Sequence, residues 1–340
     1  MEDLVQRIQL GFGVGPLTSV ALAGAVAVAA CLLLPRLPWF RELSSAAPGN
    51  NPCHSSGRKS KIGGIAVVGG ALLVATLVSG TASPWRALPI YLGGLFLIGL
   101  LDDLQPLTPG WKIILQVPMA LFVVLSIPRE GWVHLGLPWV FLQVAWIVVM
   151  TNAFNIVDVA DGLLAGLALP VLALMGGVHL VIGAPDVAIL CLAFTGALLG
   201  FLVFNASPGG VILGDSGSLP IGGLVSFLVL LIPSSPADAP TPLLALPLTG
   251  VVALEVLWVS VRRIRRGIPP WRGSPHHLIY WIIERGVPLP LAVVLLVSAQ
   301  ILLLLPFAAI METWSWLIPA GATLLILIAA PFLRRARDAG

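Results

Sequence analysis

Residues 14–34 read VGPLTSVALAGAVAVAACLLL, a run of 21 residues without a charged side chain. A bilayer core about 30 Å thick requires roughly 20 apolar residues of helix, so this run predicts a first membrane-spanning helix rather than a cleaved leader. Ten more apolar runs follow, at residues 62–81, 86–104, 112–127, 138–156, 162–182, 186–205, 218–233, 242–261, 288–311 and 314–333. The runs at 112–127 and 218–233 are short for a span, so ten crossings stay an alternative to eleven.

The composition points to the same class of protein. Hydrophobic residues make up 58% of the 340 residues and charged residues only 10%, whereas about a quarter of a soluble domain is charged. This excludes a soluble globular protein, a disordered chain and a coiled coil, and the continuous apolar runs exclude the alternating strands of a membrane β-barrel. We predict an all-α polytopic integral membrane protein, organised as a single domain over residues 1–340.

The basic residues fall unequally on the two sides of the membrane. With eleven crossings, Arg7, Arg86 and Arg129 lie on one side and the remaining fifteen of the 18 Lys and Arg residues on the other. The positive-inside rule makes the second side cytoplasmic. We therefore expect a multi-pass protein of a bacterial-type plasma membrane, with its N-terminus outside and its C-terminus in the cytoplasm. The pI near 9.0 then reflects topology and anionic lipid rather than nucleic acid.

Five carboxylates lie where predicted helices reach the cytoplasmic face: Asp102, Asp103, Asp158, Asp161 and Asp215. Ionisable groups at membrane depth are costly and by default mark a functional site. The adjacent pair at 102 and 103 would repel unless a cation relieved it, and Mg²⁺ favours carboxylate oxygens together with substrate phosphates. A solvated helix end is the alternative for this pair taken alone.

A second polar segment joins two of these carboxylates to two amides. Asn152, Asn155, Asp158 and Asp161 recur every three residues, which predicts a polar stripe on one face of a helix end. Such a stripe can bind a base edge, a sugar hydroxyl or a metal. A polar seam that packs against another helix is the alternative, although such seams favour Ser, Thr and Asn.

A third segment, residues 204–218, reads FNASPGGVILGDSGS and contains Asn205 and Asp215. Its Gly and Ser residues offer backbone N–H groups and hydroxyls beside a metal ligand, which suits a phosphate–Mg²⁺ group at the start of a helix. A Gly-rich turn with a helix cap is the other interpretation.

Two basic segments complete the set. Residues 57–64, GRKSKIGG, place Arg58 and two lysines before a Gly pair, where they either clamp phosphates or only follow the positive-inside rule. The arginines at 262–266 are typical of a stop-transfer cluster, but the imidazoles of His276 and His277 can bind phosphate or metal. Glu255, inside the ninth span, either reaches these arginines or is a buried acid with its own partner.

In this order, the motifs resemble those of the polyprenyl-phosphate N-acetylhexosamine-1-phosphate transferases, glycosyltransferase family 4. Residues 62–66 (IGGIA) look like the family's P-x-x-G-G-x-A loop, and residues 99–116 look like its aspartate-pair motif. Residues 152–166 resemble its Asn/Asp motif and residues 214–218 match G-D-[ST]-G-S. The resemblance runs from about residue 58 to residue 286.

The resemblance implies an activity. It implies transfer of a sugar-1-phosphate, of the N-acetylhexosamine type, from a UDP-sugar to polyprenyl (undecaprenyl) phosphate in the bilayer, with release of UMP. This would be the initiating membrane step of cell-envelope glycan synthesis, would require Mg²⁺ (or Mn²⁺), and would occur at the cytoplasmic face. A homodimer stays open, as do a non-catalytic homologue on the same fold and an ion-coupled transporter.

The resemblance also implies roles for individual residues. It makes Asp215 the Mg²⁺ ligand, and it gives catalytic roles to Asp102, Asp103, Asp158 and Lys112. The positions it implies for substrate binding are Arg58, Asn152, Asn155, Asp161, Asn205, His276 and His277. The sequence departs from the family at two notable places: Val159 replaces a Gly, and Ile212 stands where the family has a Phe associated with the uracil ring.

Overall fold

The fold is all-α in the part of the chain that a computed structural model describes, namely residues 16–37, 60–79, 85–126, 136–205, 210–232 and 242–310. The helices, numbered along the chain, are α1 Pro16–Leu33, α2 Gly70–Ser79, α3 Ala87–Leu104, α4 Pro109–Ser126, α5 Gly136–Val157, α6 Leu163–Val181, α7 Pro185–Asn205, α8 Asp215–Leu230, α9 Pro242–Ile264, α10 Leu278–Ile283 and α11 Leu289–Ile310. A π-helical turn, Ile65–Gly69, leads into α2.

The polytopic class predicted from the sequence is confirmed. Within the described ranges, eight helices are long and apolar enough to cross a membrane, and two shorter apolar helices span Ile65–Val78 and Asp215–Leu230. These ten match the first ten predicted spans. The fourth reaches 18 residues because it begins at Pro109, earlier than predicted, and a proline suits the first turn of a helix. The predicted span at 314–333 lies outside the described residues, so the count of eleven stays a prediction.

The helices α6 and α7 form the centre of the bundle. In each of them 78% of the most apolar window is buried, against 22% in α1 and α4, whose remaining apolar surface is left for lipid. Small residues let α1 approach α7 closely, since a Cβ placed on Gly196 would collide with the carbonyl oxygen of Val20. Close approach through small residues is how membrane helices gain packing energy without help from water.

Contacts between backbones bring the polar ends of several helices together. A Cβ on Gly99, near the end of α3, would overlap the carbonyl oxygen of Asp215 at the start of α8, and α5 packs on the same helix α8. The segment that precedes α2 also lies here, since Gly63 donates its N–H to the carbonyl of Ile212 at 3.0 Å and Gly64 donates to Leu213 at 2.9 Å. One end of the bundle therefore gathers the charged motifs.

Candidate active site

A lysine joins the first and third sequence motifs. The Nζ atom of Lys112, in the first turn of α4, lies 2.8 Å from Oδ2 of Asp102 and 2.5 Å from Oδ2 of Asp215. Asp102 also accepts the backbone N–H of Leu107 at 2.7 Å, which holds the turn between α3 and α4. Two carboxylates more than 100 residues apart in sequence thus converge on one ammonium group.

Asp103 holds the start of α8 in place. Its Oδ1 accepts the backbone N–H of Asp215 at 3.1 Å, and its Oδ2 accepts that of Ser216 at 2.9 Å. The first N–H groups of a helix have no partner inside the helix, and a carboxylate there also favours the helix dipole. Gly214 makes the approach feasible, because its φ is +66° and a Cβ on it would lie 2.6 Å from Oδ2 of Asp103. Lys61 Nζ lies 3.3 Å from Oδ1 of this nearly buried carboxylate.

The predicted polar stripe is only half helical. The helix α5 ends at Val157, so Asp158 and Asp161 lie in the turn that leads to α6 and not on a helix face. The turn ends at Gly162, whose φ of +78° belongs to the left-handed region that favours glycine and which directly precedes α6. The prediction of one continuous helical stripe from 152 to 161 is therefore wrong, although its members still converge.

Asn205 fixes this turn in space. Its Oδ1 accepts the N–H of Gly162 at 2.6 Å, and its Nδ2 donates to the carbonyl of Val211 at 2.9 Å. The side chain is buried, and it ties the turn after α5 to the segment before α8. Asn205 acts on the geometry of the site as well as lining it.

The site is a cavity of about 210 Å³ with a largely polar wall. Its lining residues are Lys61, Asp103, Asn155, Asp158, Ala160, Asp161, Asn205, Ile212, Gly214 and Asp215. Six predicted site residues are therefore brought together, and Asp102 and Lys112 adjoin the cavity through Asp215. Asn155 reaches across it, since its Nδ2 donates to Oγ of Ser218 at 2.8 Å.

Asn152 is not among the residues that line the cavity. Its Nδ2 donates to Oε1 of Gln116 at 2.5 Å and to the carbonyl of Val148 at 2.8 Å. Here the structure favours the packing alternative, with an amide pair that joins α5 to α4. Its predicted part in substrate binding finds no support in this geometry.

The two histidines are placed differently from each other. His277 is buried, and its Nδ1 lies 2.9 Å from Oε1 of Glu255, which also accepts the N–H of Leu278 at 3.1 Å. Glu255 is thus a buried acid with its own partners. Tyr280, one turn further along, donates its OH to the carbonyl of Val159 at 3.2 Å. His277 does not line the cavity, but its helix α10 rests on the turn that carries Asp158 and Asp161.

His276 lies in the loop beside the arginines. Burial lowers its pKa below the usual value, and the nearby charges of Arg266, Arg262 and Arg263 lower it further. The imidazole is consequently neutral at pH 7 and offers hydrogen bonds rather than positive charge. His276 is not among the residues that line the cavity.

The structure gives two basic residues, Lys61 and Arg263, contacts that the sequence does not predict. Lys61 belongs to the basic segment that precedes the Gly pair, and its Nζ faces Asp103. The other two basic residues of that segment, Arg58 and Lys59, lie outside the described residues. Arg263 is not a plain topology signal, because its Nε donates to Oγ of Ser274 at 2.8 Å and its Nη1 to the carbonyl of Pro270 at 2.6 Å. No local pattern distinguishes Arg263 from its charged neighbours.

The donor set suits a magnesium ion that shares its coordination with substrate. Within the described ranges, no group of three or more His, Cys, Asp and Glu side chains is arranged to hold a metal. Asp102 and Asp215 nevertheless already converge on one cation, the ammonium of Lys112. Mg²⁺ is typically bound through one or two carboxylates plus waters and substrate phosphates, so the pair fits that mode and not an all-protein cage.

Comparisons with known proteins give consistent results. The family model for glycosyl transferase family 4 matches residues 85–232, which contain every described cavity residue except Lys61. A phospho-N-acetylmuramoyl-pentapeptide-transferase of Moorella thermoacetica is 31% identical over 282 residues, which is 72% of this chain and 83% of that protein. One from Geobacillus kaustophilus is 30% identical over 305 residues, 79% of this chain and 91% of that protein.

A relative with a different name is similar to the same degree. The "Probable undecaprenyl-phosphate N-acetylglucosaminyl 1-phosphate transferase" of Bacillus subtilis is 30% identical over 255 residues, 68% of each chain. Identity of this size to two kinds of relative does not distinguish between their sugars.

Proposed function

Because the chain belongs to glycosyl transferase family 4, we propose that it transfers a sugar-1-phosphate from a UDP-sugar to polyprenyl phosphate, giving a polyprenyl-diphosphate sugar and UMP. The observation that carries the proposal is the convergence of Asp102, Lys112 and Asp215 beside a polar cavity at one end of the bundle. An N-acetylated sugar appears in the names of both kinds of relative, and undecaprenyl phosphate appears in the name of the Bacillus subtilis relative; we extend these two substrates to this chain.

The position of the cavity suits two substrates of opposite solubility. A UDP-sugar arrives from water and a polyprenyl phosphate is held in the bilayer, so their phosphates can meet only near the ends of the spans. Asp102, at the end of α3, and Asp215, at the start of α8, both lie at such ends. By the distribution of basic residues, this end is the cytoplasmic one.

The reaction is an exchange of one phosphate partner for another. A phosphate oxygen of the polyprenyl phosphate forms a bond to the phosphorus that carries the sugar, and the bond from that phosphorus to the UMP oxygen breaks. The total negative charge does not change, but the phosphate groups of the two substrates must come close together. Catalysis of phosphoryl transfer therefore consists mostly of positioning the substrates and stabilising this charge. Lys112 and Lys61 are the lysines that the structure places against the site carboxylates.

Asp215 and Asp102 would hold the Mg²⁺ that the donor set fits. When bound, Mg²⁺ acts as a Lewis acid that offsets the charge on the phosphate oxygens. Asp103 is a positioning residue in this arrangement, because its bonds to the first N–H groups of α8 set where Asp215 points. Lys112 holds the two carboxylates at the distance in which they share one cation.

The turn after α5 provides the other wall. Asn155, Asp158 and Asp161 face the same cavity as Ile212, and amides with carboxylates can bind sugar hydroxyls and a base edge. We propose that this wall receives the nucleotide and sugar, with the uracil beside Ile212. An aliphatic side chain there gives apolar contact without a ring to stack on.

The test is a direct transfer assay on the full chain in detergent with Mg²⁺, undecaprenyl phosphate and a panel of UDP-sugars, scored by release of UMP. We expect release with at least one UDP-N-acetylhexosamine derivative. Asp215→Asn should abolish it, because the substitution keeps the volume of the side chain and removes its charge. Asp186→Asn, at the start of α7 and outside the cavity, is the matched control and should leave turnover unchanged.

The assay separates the transferase from a non-catalytic homologue, and the position of the carboxylates separates it from a transporter. A non-catalytic homologue would bind a UDP-sugar without releasing UMP from any member of the panel. An ion-coupled transporter predicts carboxylates near mid-span, whereas the aspartates that line this cavity lie at helix ends and in turns. Equal turnover in Asp215→Asn and wild type at saturating Mg²⁺ would place the metal elsewhere.

A further inference from the structure

A tryptophan–arginine face lies at the end of α9, and its residues are not among those that line the cavity. It consists of Trp258 and Arg262 on α9, Trp281 on α10, Arg285 after it, and Trp271 and Arg272 in the loop between the two helices. Between residues 262 and 288 the sequence holds six arginines and one acid, Glu284. Charge of one sign is therefore concentrated on this part of the molecule.

Two of the arginines lie over tryptophan rings. The guanidinium carbon of Arg285 lies 3.4 Å from the ring centroid of Trp281, and that of Arg262 lies 5.5 Å from the centroid of Trp258. The two rings meet edge to face at 5.2 Å, so the arginines flank one aromatic pair. A cation–π contact does not use the N–H donors of a guanidinium, so these donors stay available to other acceptors.

Within the described part of the chain, no carboxylate lies within ion-pair distance of either guanidinium. Arg285 donates one hydrogen bond, from Nη1 to the carbonyl of Trp281 at 3.1 Å. A guanidinium with unused donors in a fixed plane matches two oxygens of a phosphate group.

Hydrogen bonds from Arg263 hold the loop between α9 and α10 in place. Arg263 is buried and bonds Pro270 and Ser274, which pins the loop back onto the end of α9. Trp271 follows directly and is 72% exposed. A rigid loop that holds a tryptophan in the open, beside Arg272, is typical of residues at the headgroup level, where an amphipathic ring has both an apolar and a wet side.

The depth of the face agrees with this placement. The helix α9 has 23 residues, about 35 Å of helix, which exceeds a hydrocarbon core of about 30 Å. Arg262 is two residues from its end, and Arg285 precedes the start of α11 at Leu289. A helix of this length places Arg262 at the depth that is expected for lipid headgroups.

We propose that the tryptophan–arginine face binds the headgroups of anionic phospholipids, with the arginines on the phosphates and Trp271 inserted among the headgroups. The occupant follows from charge complementarity, since Arg262 and Arg285 meet no carboxylate among the described residues and lie near the helix ends, where lipid phosphates are expected. The inference is independent of catalysis and of the proposed substrates.

The test is native mass spectrometry of the full chain during titration with phosphatidylglycerol, with phosphatidylcholine as the neutral lipid. The double variant Arg262→Gln/Arg285→Gln keeps the tryptophans. We expect its affinity for phosphatidylglycerol to fall roughly 30-fold, the equivalent of about 1 kcal/mol for each arginine near the surface, with no change for phosphatidylcholine. Arg36→Gln/Arg86→Gln removes the same charge elsewhere and should change the affinity less than about twofold.

Three outcomes would overturn the proposal. Equal weakening in both double variants would show a general effect of net charge, and no weakening in either would show that the face is not a lipid site. A dimer mass that disappears only in Arg262→Gln/Arg285→Gln, at unchanged lipid binding, would assign the face to a second copy of the chain.

A second measurement does not depend on the arginines. Brominated phosphatidylglycerol quenches tryptophans that touch it, so Trp271→Phe should lose part of the quenching seen in the wild type. Because Trp271 is exposed, the substitution should leave the fold intact. Identical quenching in the two proteins would contradict insertion of the loop tip.

Discussion

Replacing Asp103 tests whether this carboxylate serves the site by holding α8. The substitution Asp103→Ala removes both acceptors of the N–H groups of Asp215 and Ser216 and the ion-pair partner of Lys61. The cap residue Gly214 has no side chain that could replace these two acceptors. We expect the start of α8 to loosen and Asp215 to lose its fixed direction.

The size of the effect follows from the contacts that disappear. A hydrogen bond to a charged group contributes about 1.5–3 kcal/mol, so two of them set an upper limit of about 3–6 kcal/mol. Water from the adjoining cavity can replace part of this, and N-cap substitutions cost about 0.5–2 kcal/mol. We expect Asp103→Ala to lower the free energy of unfolding by about 2–3 kcal/mol. Asp103→Asn should lose less, because its amide oxygen still accepts one N–H.

The assay combines equilibrium unfolding in mixed micelles with hydrogen exchange of the peptide that contains residues 214–218. Exchange at Asp215 and Ser216 should be much faster in Asp103→Ala and intermediate in Asp103→Asn. UMP release should fall in the same order as protection. If Asp103→Ala unfolds like the wild type and keeps its protection while activity is lost, Asp103 acts directly on substrate and the capping role is refuted.

Three further predictions follow from other contacts. Ile212→Phe should lower the KM for the UDP-sugar with little change in kcat, because base–aromatic stacking contributes about 1–3 kcal/mol; an unchanged or higher KM would place the base elsewhere. Gly64→Ala should reduce both stability and turnover, since its Cβ would collide with the start of α8, whereas Gly69→Ala meets nothing within 4 Å and is the control; equal thermal midpoints would show that the contact is not close. Glu255→Ala should lower the free energy of unfolding by about 1–3 kcal/mol, because it removes the buried carboxylate that contacts Nδ1 of His277 and accepts the N–H of Leu278; thermal stability equal to the wild type would show that these contacts do not hold α10.

The membrane architecture was largely predictable from the sequence. Long apolar runs have one stable solution in lipid, because a helix satisfies its own backbone, and their length sets the span. The π-helical turn Ile65–Gly69 and the short helix α10 were not predicted. Neither has a periodic signal of its own, since the first is fixed by contacts with α8 and the second by Glu255 and Val159.

The candidate site was predictable in membership but not in geometry. The aspartates stood out because charge is rare in this chain, yet nothing local distinguishes Asp102, which faces Lys112, from Asp103, which caps a helix 112 residues away. The turn at Asp158 and Asp161 depended on the left-handed backbone of Gly162, and the three-residue spacing favoured a helix instead. When two contacting residues are far apart in sequence, neither local segment contains a pattern that predicts the contact.

The cap on α8 also affects how the protein is made. At about 5–20 residues per second, roughly 6–22 s separate the synthesis of Asp103 from that of the N–H groups it will bind, 112 positions later. During that interval, Lys61 and Lys112 are the counter-ions that the structure places against Asp103 and Asp102. These ion pairs can thus neutralise the two carboxylates during synthesis, before the start of α8 has been translated and has supplied its N–H groups.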